Sequence, residues 1–452
     1  MKRTILFVFC ILYSIVSSSQ TWNALGIGIW PSNTIGTIWT ASIAEDTANN
    51  LLYVGGHFDT VSNFNSNCIA KWDGSKWDSL GAGLGGGAYT AAYAICNYKG
   101  KIYVGGNFQS AGGMAVNNIA TWDGTKWDSL GAGINDAGVE SMVIYNGLLY
   151  VCGAFSKAGT VSANHIATWD GTKWDSVGAG FNAEALGMGI YNNNLYVGGY
   201  FTRSGNNPVN YIAKWNGSTW IPLNNGVNNT VAKLISYNGS LYACGQFDSA
   251  DGQPAHYIAS WNGSSWNSLG KGLREGYFGG VQAMAIYNGK LYVGGQFDTA
   301  GTILAHNIVT WDGSNWKSIG IGTQNHVIVL TNYNGLYVGG DFDTAGGIIA
   351  HKIAFFTTPA GINELSSAYG EINLFPNPST GIFTLHFEEA QNMEASNIEI
   401  YNVLGERILI ETLRSSQGDK LIDISNQPNG VYFYRVLSEN GNCLGEGKLI
   451  KE

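Results

Sequence analysis

The sequence predicts an all-β chain: a seven-bladed β-propeller closed by its own N-terminal strand, followed by a small antiparallel β-sandwich. Three observations lead there. A phrase of the form Leu-Tyr-Val-Gly-Gly-x-Phe recurs seven times, centred on Tyr53, Tyr103, Tyr150, Tyr196, Tyr242, Tyr292 and Tyr337. A unit of that length, rich in Gly, Trp and Tyr, is the size of one four-stranded blade. Six copies are followed by Trp-(Asp/Asn)-Gly-x-x-Trp, as at Trp72 to Trp77 and Trp122 to Trp127. Charged residues are only 12% of the 452, against 63 Gly, 15 Trp and 24 Tyr, a composition suited to tightly turned sheets.

Period-two alternation divides each unit into strands a to d, which in the second unit fall at 91–98, 101–108, 118–123 and 126–134. Asn-Gly and Asp-Gly pairs between a and b and between c and d supply the positive φ of two-residue hairpins. These turns share one face, so the b-to-c and d-to-a connections share the other. The paired Gly after Tyr-Val admits close strand approach where units crowd an axis, and the Trp pair fills the wider space outside. Only Trp30 and Trp39 stand outside this scheme. Trp22-Asn23-Ala24-Leu25-Gly26 matches Trp77-Asp78-Ser79-Leu80-Gly81, an orphan strand d, while the seventh copy stops after strand c with Phe355-Phe356 in place of Trp-Asp. The first strand is therefore expected to complete the last blade and leave no open edge.

Lys2 and Arg3, an apolar run from Ile5 to Val16, and Ser17-Ser18-Ser19 read as an export signal cleaved before Gln20. The predicted organisation is a signal peptide at 1–19, the propeller at 20–357, a linker at 358–370 and a second domain at 371–452. No later stretch is apolar enough to span a bilayer, so the mature chain is expected to lack a transmembrane segment. A net charge of -9 without a basic patch argues against nucleic acid as a partner. Of six cysteines, Cys10 leaves with the signal and the remaining five cannot all pair. Cys152 and Cys244 take the first Gly position of their repeats and read as small buried core residues. No cofactor is expected: there is no zinc-type spacing, phosphate-cradling Gly loop, nucleophile elbow or metalloprotease motif.

Two resemblances add to this. An apolar strand ending in Gly-Gly with a Trp later in the unit, as in Tyr103-Val104-Gly105-Gly106 and Trp127, resembles the kelch repeat, which implies a ring used by binding proteins and by oxidases alike. The repeat differs from kelch in its aromatic after Gly-Gly (Phe58, Phe108, Phe155) and its doubled Trp. In the tail, Leu374-Phe375-Pro376-Asn377-Pro378-Ser379-Thr380-Gly381, Ile400-Tyr401-Asn402-Val403-Leu404-Gly405, Pro428-Asn429-Gly430-Val431-Tyr432 and Lys448-Leu449-Ile450-Lys451 are similar to the C-terminal sorting domain of the type IX secretion system. That resemblance marks Pro376, Asn377, Pro378, Gly381, Gly405, Gly430 and Lys448 as its sorting-motif residues. It implies a type IX translocon and sortase as partners, and a protein secreted or attached at the outer-membrane surface.

Chemistry is expected where the repeats differ. Two residues before the recurring Ile of strand c stand Asn67, Asn117, Asn164, Asn210, His256, His306 and His351, so three adjacent units offer His either to a metal or to local backbone. Asp-(Ser/Thr)-(Ala/Val/Leu) triplets such as Asp128-Ser129-Leu130 read as turn chemistry or, by resemblance, as O-glycosylation acceptors. Trp30, Tyr89, Arg203, Arg274, Tyr277, Phe278 and His326 are non-repeating loop residues expected on one face, where aromatics beside polar groups can stack on sugars or grip a protein loop. Glu140 and Glu184 form the most inviting carboxylate pair for a glycosidase. The functional expectation is a surface binding module for a glycan or protein. A carbohydrate-active enzyme and a structural or adhesion component are the alternatives.

Overall fold

The computed structural model describes residues 21–30, 39–274, 280–358, 373–386, 396–402, 406–413, 420–437 and 443–452. The expected signal peptide, and all of the expected linker but Thr358, lie outside them. The chain divides into two compact units, Met1–Pro359 and Ala360–Glu452. Among the described residues there is no helix.

Among the described residues the first unit contains seven four-stranded antiparallel sheets ordered a-b-c-d, and in all but the seventh the strands follow one another in sequence. In the second sheet the strands are Ala91–Tyr98, Lys101–Asn107, Ile119–Trp122 and Trp127–Ser129. Turn chemistry sets these registers. At the a-b turns of the second to sixth sheets both residues are left-handed, as with Asn146 (φ 49°) and Gly147 (φ 77°), the backbone a tight hairpin requires. The c-d turn works differently from the expectation of two positive φ values: only Gly74 is left-handed (φ 96°), while the Asp73 carboxylate accepts the amides of Ser75 and Lys76, both at 2.8 Å. The same geometry recurs at Asp123 and Asp170, and Asn216 and Asn262 reproduce it with an amide oxygen.

Gly-Gly closes the inner part of each sheet. A Cβ on Gly106 would lie 2.1 Å from the Ala91 carbonyl oxygen, and one on Gly105 would lie 2.4 Å from Val139 of the next sheet. Cys152 and Cys244 take the first Gly position as fully buried free thiols, Cys152 clustered with Ala185 and Cys244 with Val281 of the next sheet. Outward, the second Trp of each pair reaches the sheet before it: the Trp127 indole donates to the Leu80 carbonyl at 2.8 Å, and Trp77, Trp174, Trp220, Trp266 and Trp316 make the equivalent bond.

Apolar clusters straddle consecutive sheets, and each strand a packs against the strand a of the next sheet. The first and seventh sheets share a cluster too, joining Leu52, Val54 and Trp77 with Tyr337 and Ile353. Between them Thr331 donates to the Ile43 carbonyl at 3.1 Å and the Tyr333 hydroxyl to Asn50 Oδ1 at 2.6 Å. Strand d of the seventh sheet is the N-terminal segment Thr21–Ala24, paired antiparallel with Ile353–Thr357 so that Trp22 lies opposite Phe356.

In the second unit a three-stranded sheet (Asn373–Phe375, Ile382–His386, Lys420–Asp423) and a four-stranded sheet (Ser396–Tyr401, Arg407–Leu413, Gly430–Leu437, Cys443–Lys451) contribute to one core, including Phe383, Leu385, Ile398, Ile422, Tyr432 and Leu449.

Candidate functional site

Every strand a carries one β-bulge. The unpaired residues are Ala41, Tyr93, Glu140, Leu186, Ala232, Gln282 and Ile328. A bulge frees its residue from the ladder and re-aims its side chain, and here it falls on the strands that pack against one another across sheets.

Four residues of the second to fourth sheets are linked electrostatically in this region. Glu140 and Tyr93 come from bulges; Glu184 immediately precedes strand a of the fourth sheet (Ala185–Tyr191) and Tyr200 follows its strand b (Asn194–Gly199). The Tyr200 amide donates to the Glu184 carbonyl at 2.9 Å. A Cβ placed on Gly138 would lie 3.3 Å from Glu140 Oε1 and 3.4 Å from Tyr93 Cδ2, so glycine leaves both side chains room. Burial pushes the Glu140 carboxyl up to about 7, with the Glu184 charge adding to it, and burial raises Glu184 as well. Both tyrosines feel both carboxylates: burial first, then Glu140 and Glu184, raise Tyr93, and burial followed by Glu184 and Glu140 raises Tyr200. Among the described residues neither carboxylate has a hydrogen-bond or ion-pair partner.

The expected pair Glu140 and Glu184 stands on the third and fourth sheets, whose strands a pack together, and the Glu184 charge adds to the effect of burial on Glu140. The structure scatters the expected loop residues. Tyr89 is 75% exposed, and its carbonyl accepts from Asn107 at 3.3 Å. Beside it a cleft of about 260 Å³ is lined by His57, Cys68, Gly86 and Thr90 among others. His326 Nδ1 lies 3.3 Å from Asp341 Oδ2, while Asp341 Oδ1 is buried without a hydrogen-bond partner. Arg203 is exposed, its backbone amide held by Asn182 Oδ1 at 2.8 Å. Tyr277 and Phe278 lie outside the described residues.

Trp30 and Arg274 require a correction: their position is a repeating one. Each pairs with the b-c hairpin of the following repeat, Trp30 with Thr60 and Arg274 with Thr299, where Asn182 and Asn228 bracket their own hairpins. The Trp30 ring also stacks 3.8 Å from that of His351 and donates to the Ile27 carbonyl, leaving it partly engaged.

A second correction concerns His256, His306 and His351, which do not assemble as a metal site; among the described residues no three His, Cys, Asp or Glu groups could hold an ion. The position is a seat for the d-a loop. The carbonyls of His256, His306 and His351 accept from Leu273, Thr323 and Ile29, as those of Asn117 and Asn164 accept from Ile134 and Phe181. The Asn117 side chain additionally donates to the Ala132 carbonyl at 2.8 Å.

Sequence reasoning missed Tyr93 and Tyr200. Aligning the repeats on Gly-Gly would have exposed both columns as variable, but only the structure links them electrostatically to the carboxylates. In the tail, Asn377 clamps the last strand, donating to the Lys448 carbonyl at 2.6 Å and accepting from Ile450 at 2.8 Å. The Lys451 ammonium caps the Ser425 and Gln427 carbonyls. Gly381 (φ 108°) leaves room for the Lys451 stem, and Lys448 itself is exposed. Tyr432 donates to the Pro428 carbonyl, placing the Gly430 turn between them. Gly405 lies outside the described residues.

Comparison with known proteins agrees with this tail. Residues 373–452 match the family described as secretion system C-terminal sorting domain. This is a type IX sorting domain, and it implies secretion or cell-surface attachment and interaction with that secretion machinery. Among the described residues no helix is long and apolar enough to cross a membrane. No curated protein matches the chain. Among solved structures it is similar to the extracellular domain of a putative hybrid two-component system from B. thetaiotaomicron (13% identity, TM-score 0.48, covering 81% of this chain and 45% of that one). It is also similar to an acylaminoacyl peptidase of Pyrococcus horikoshii (13%, 0.42, 77% and 57%) and to the β-propeller domain of the Trilobed protease from Pyrococcus furiosus (10%, 0.31, 62% and 97%). The chain thus spans about half the length of the first two. Likenesses this weak do not carry the fold, which rests on the sheet topology above.

Proposed function

We propose that the chain is an exported surface protein whose first unit is a closed, seven-bladed, kelch-like propeller, working as a binding module for a glycan or protein ligand. In this reading residues 1–19 are removed as a signal peptide, 20–357 form the propeller, 358–370 link it to the sorting domain at 371–452, and the strands a line a central axis. The observation that supports binding is the contrast between used and unused polar groups. Many repeated ones are engaged in scaffold hydrogen bonds, such as Asn117 to Ala132 and Asp123 to Thr125. Among the described residues Glu140 and Glu184 are not, and they are linked electrostatically to two tyrosines at the inner strands.

A carbohydrate-active enzyme is the second reading. It is favoured by a Glu140 carboxyl held near 7, the property of a general acid, beside a second carboxylate. One experiment separates the two: the full chain is screened against a polysaccharide panel, scoring retention and released sugars together. Retention without release supports the binding module. Release that Glu140→Gln and Glu184→Gln abolish establishes the enzyme. Neither signal turns attention to a protein partner or an adhesive role.

A further inference from the structure

We infer that the cleft beside the first sheet, where the chain crosses to the second, is a subsite for one uncharged pyranose ring of a glycan. This rests on the binding-module reading and names the chemical class of its ligand.

The cleft is an addition to the repeat. The d-a connection into the second sheet, Leu84 to Ala91, is longer than its counterparts Ile134 to Gly138 and Phe181 to Glu184, and it is rich in glycine. Its Gly86 and Gly87 form one wall of the cleft, and His57, Asp59 and Cys68 form another, around about 260 Å³. Pockets for whole drug-sized ligands begin at roughly 300 Å³, so this one has room for a single ring.

Two buried side chains fix the added loop. His57 Nδ1 donates to the Thr90 carbonyl at 2.8 Å, and the Cys68 thiol donates to the same oxygen at 3.1 Å. No other sheet carries His at the first of these positions or Cys at the second. Thr90 in turn reaches back to the Gly87 carbonyl, with its amide at 3.3 Å and its hydroxyl at 2.9 Å. A ligand therefore meets a wall already in place.

The same bonds define the chemistry on offer. A carbonyl oxygen only accepts, so His57 Nδ1 carries the proton and the neutral ring presents the lone pair of Nε2. Trp39 packs on this imidazole, with ring centroids 4.9 Å apart, and holds its plane. Burial pushes the Cys68 thiol up to about 11, so it acts here as a donor and not as a nucleophile. Tyr89, between the lining residues Ala88 and Thr90, is 75% exposed. An exposed aromatic beside a small polar cleft suits the C–H face of a sugar. The sugar hydroxyls meet Nε2 and the peptide groups of Gly86 and Gly87, which no side chain screens. The lining contains Asp59 and no Lys or Arg, which disfavours an anionic ring.

The test uses the full-length protein, the polysaccharides it retains and the methyl glycosides of their constituent sugars. Histidine labelled with 15N reports on the cleft directly. His57→Asn assigns the signal, Asn being the residue at this position in the second sheet. A saturating methyl glycoside should shift the His57 Nε2 resonance and leave those of His256, His306 and His351 in place. Tyr89→Ala removes the exposed ring, and Ala88→Trp fills the mouth of the cleft. Both positions are exposed, so both variants should melt with the parent. Each should weaken binding tenfold or more by calorimetry.

Full affinity in both variants overturns the sugar subsite and leaves the binding module standing. A His57 resonance unmoved at saturation does the same, as does binding confined to acidic sugars. Retention of a protein but of no glycan also overturns the subsite alone. Retention of neither overturns both.

Discussion

At Glu140 the proton is held more tightly in the folded chain than in the unfolded one, because burial and Glu184 both oppose the charge. The consequence for stability has a definite sign. Any stabilisation from keeping this group protonated is fully present below the unfolded value near 4.5 and disappears as pH rises through the folded value near 7. Glu140→Gln should therefore match the parent at pH 4 and exceed it at pH 8 by about 3 kcal/mol, at 1.36 kcal/mol per pK unit for a rise from 4.5 to about 7. Urea unfolding at the two pH values checks this, and an equal difference at both would refute it. Glycines give a second comparison at this scale. Gly322 is left-handed (φ 65°) and a Cβ on it would lie 2.1 Å from the His306 carbonyl oxygen, whereas Gly74 (φ 96°) has nothing within 4 Å. Gly74→Ala should cost about 1 kcal/mol of backbone strain, and Gly322→Ala upwards of about 2, because its clash is with backbone that cannot turn aside. Equal melting temperatures for the two variants would show that the d-a loop yields.

Among the elements, the c-d turn is where charge and backbone meet. Hydrogen bonds lower the carboxyls of Asp73, Asp123, Asp170 and Asp312 to about 2: the amides of Lys76 and Lys126 lead at the first two, the Thr172 hydroxyl at Asp170 and the Lys317 ammonium at Asp312, with the other amides of each turn adding to them. A lowered folded value means support that is present above the ordinary carboxylate range and is lost as pH falls from about 4 through about 2. Asn216 and Asn262 hold the same turn without titrating. Replacing the four Asp by Asn should leave stability at neutral pH nearly unchanged and flatten its decline between pH 4 and 2, as followed by circular dichroism. An unaltered acid transition would place acid sensitivity elsewhere.

Across the molecule, the N-terminal segment Thr21–Ala24 and the C-terminal strand Ile353–Thr357 of the first unit occupy one sheet, tying together chain positions more than three hundred residues apart. Removing residues 21–24 would bare the edge of the seventh sheet and take away Trp22, which packs on Phe356 at 5.0 Å. The shortened chain should melt several degrees lower and associate through the open edge. Size-exclusion chromatography and a thermal scan read both effects, and an unchanged monomer of unchanged melting temperature would count against closure through this strand.

The repeat, its four strands and the a-b turn were legible in the sequence because each depends on contacts between neighbouring strands, as Asn-Gly does at a hairpin. The sorting tail was legible as a set of motifs, although its Asn377 reaches Lys448 and Ile450 from far along the chain. The c-d turn reads as two positive φ values where only its Gly is left-handed. What occupies the inner strands was only partly so. Glu140 and Glu184 stood out as breaks in the pattern, but Tyr93 and Tyr200 did not, and Trp30 and Arg274 stood out for the wrong reason, their backbones serving the same hairpin contact as Asn182 and Asn228. The three histidines repeat in sequence yet spend their carbonyls on the d-a loop, so periodicity alone could not tell a ligand from a seat. Local hydrogen-bond chemistry is written residue by residue and can be read that way. Which side chains of different sheets share one low-dielectric space depends on bulges and on close approach between sheets, and the tertiary structure alone decides it.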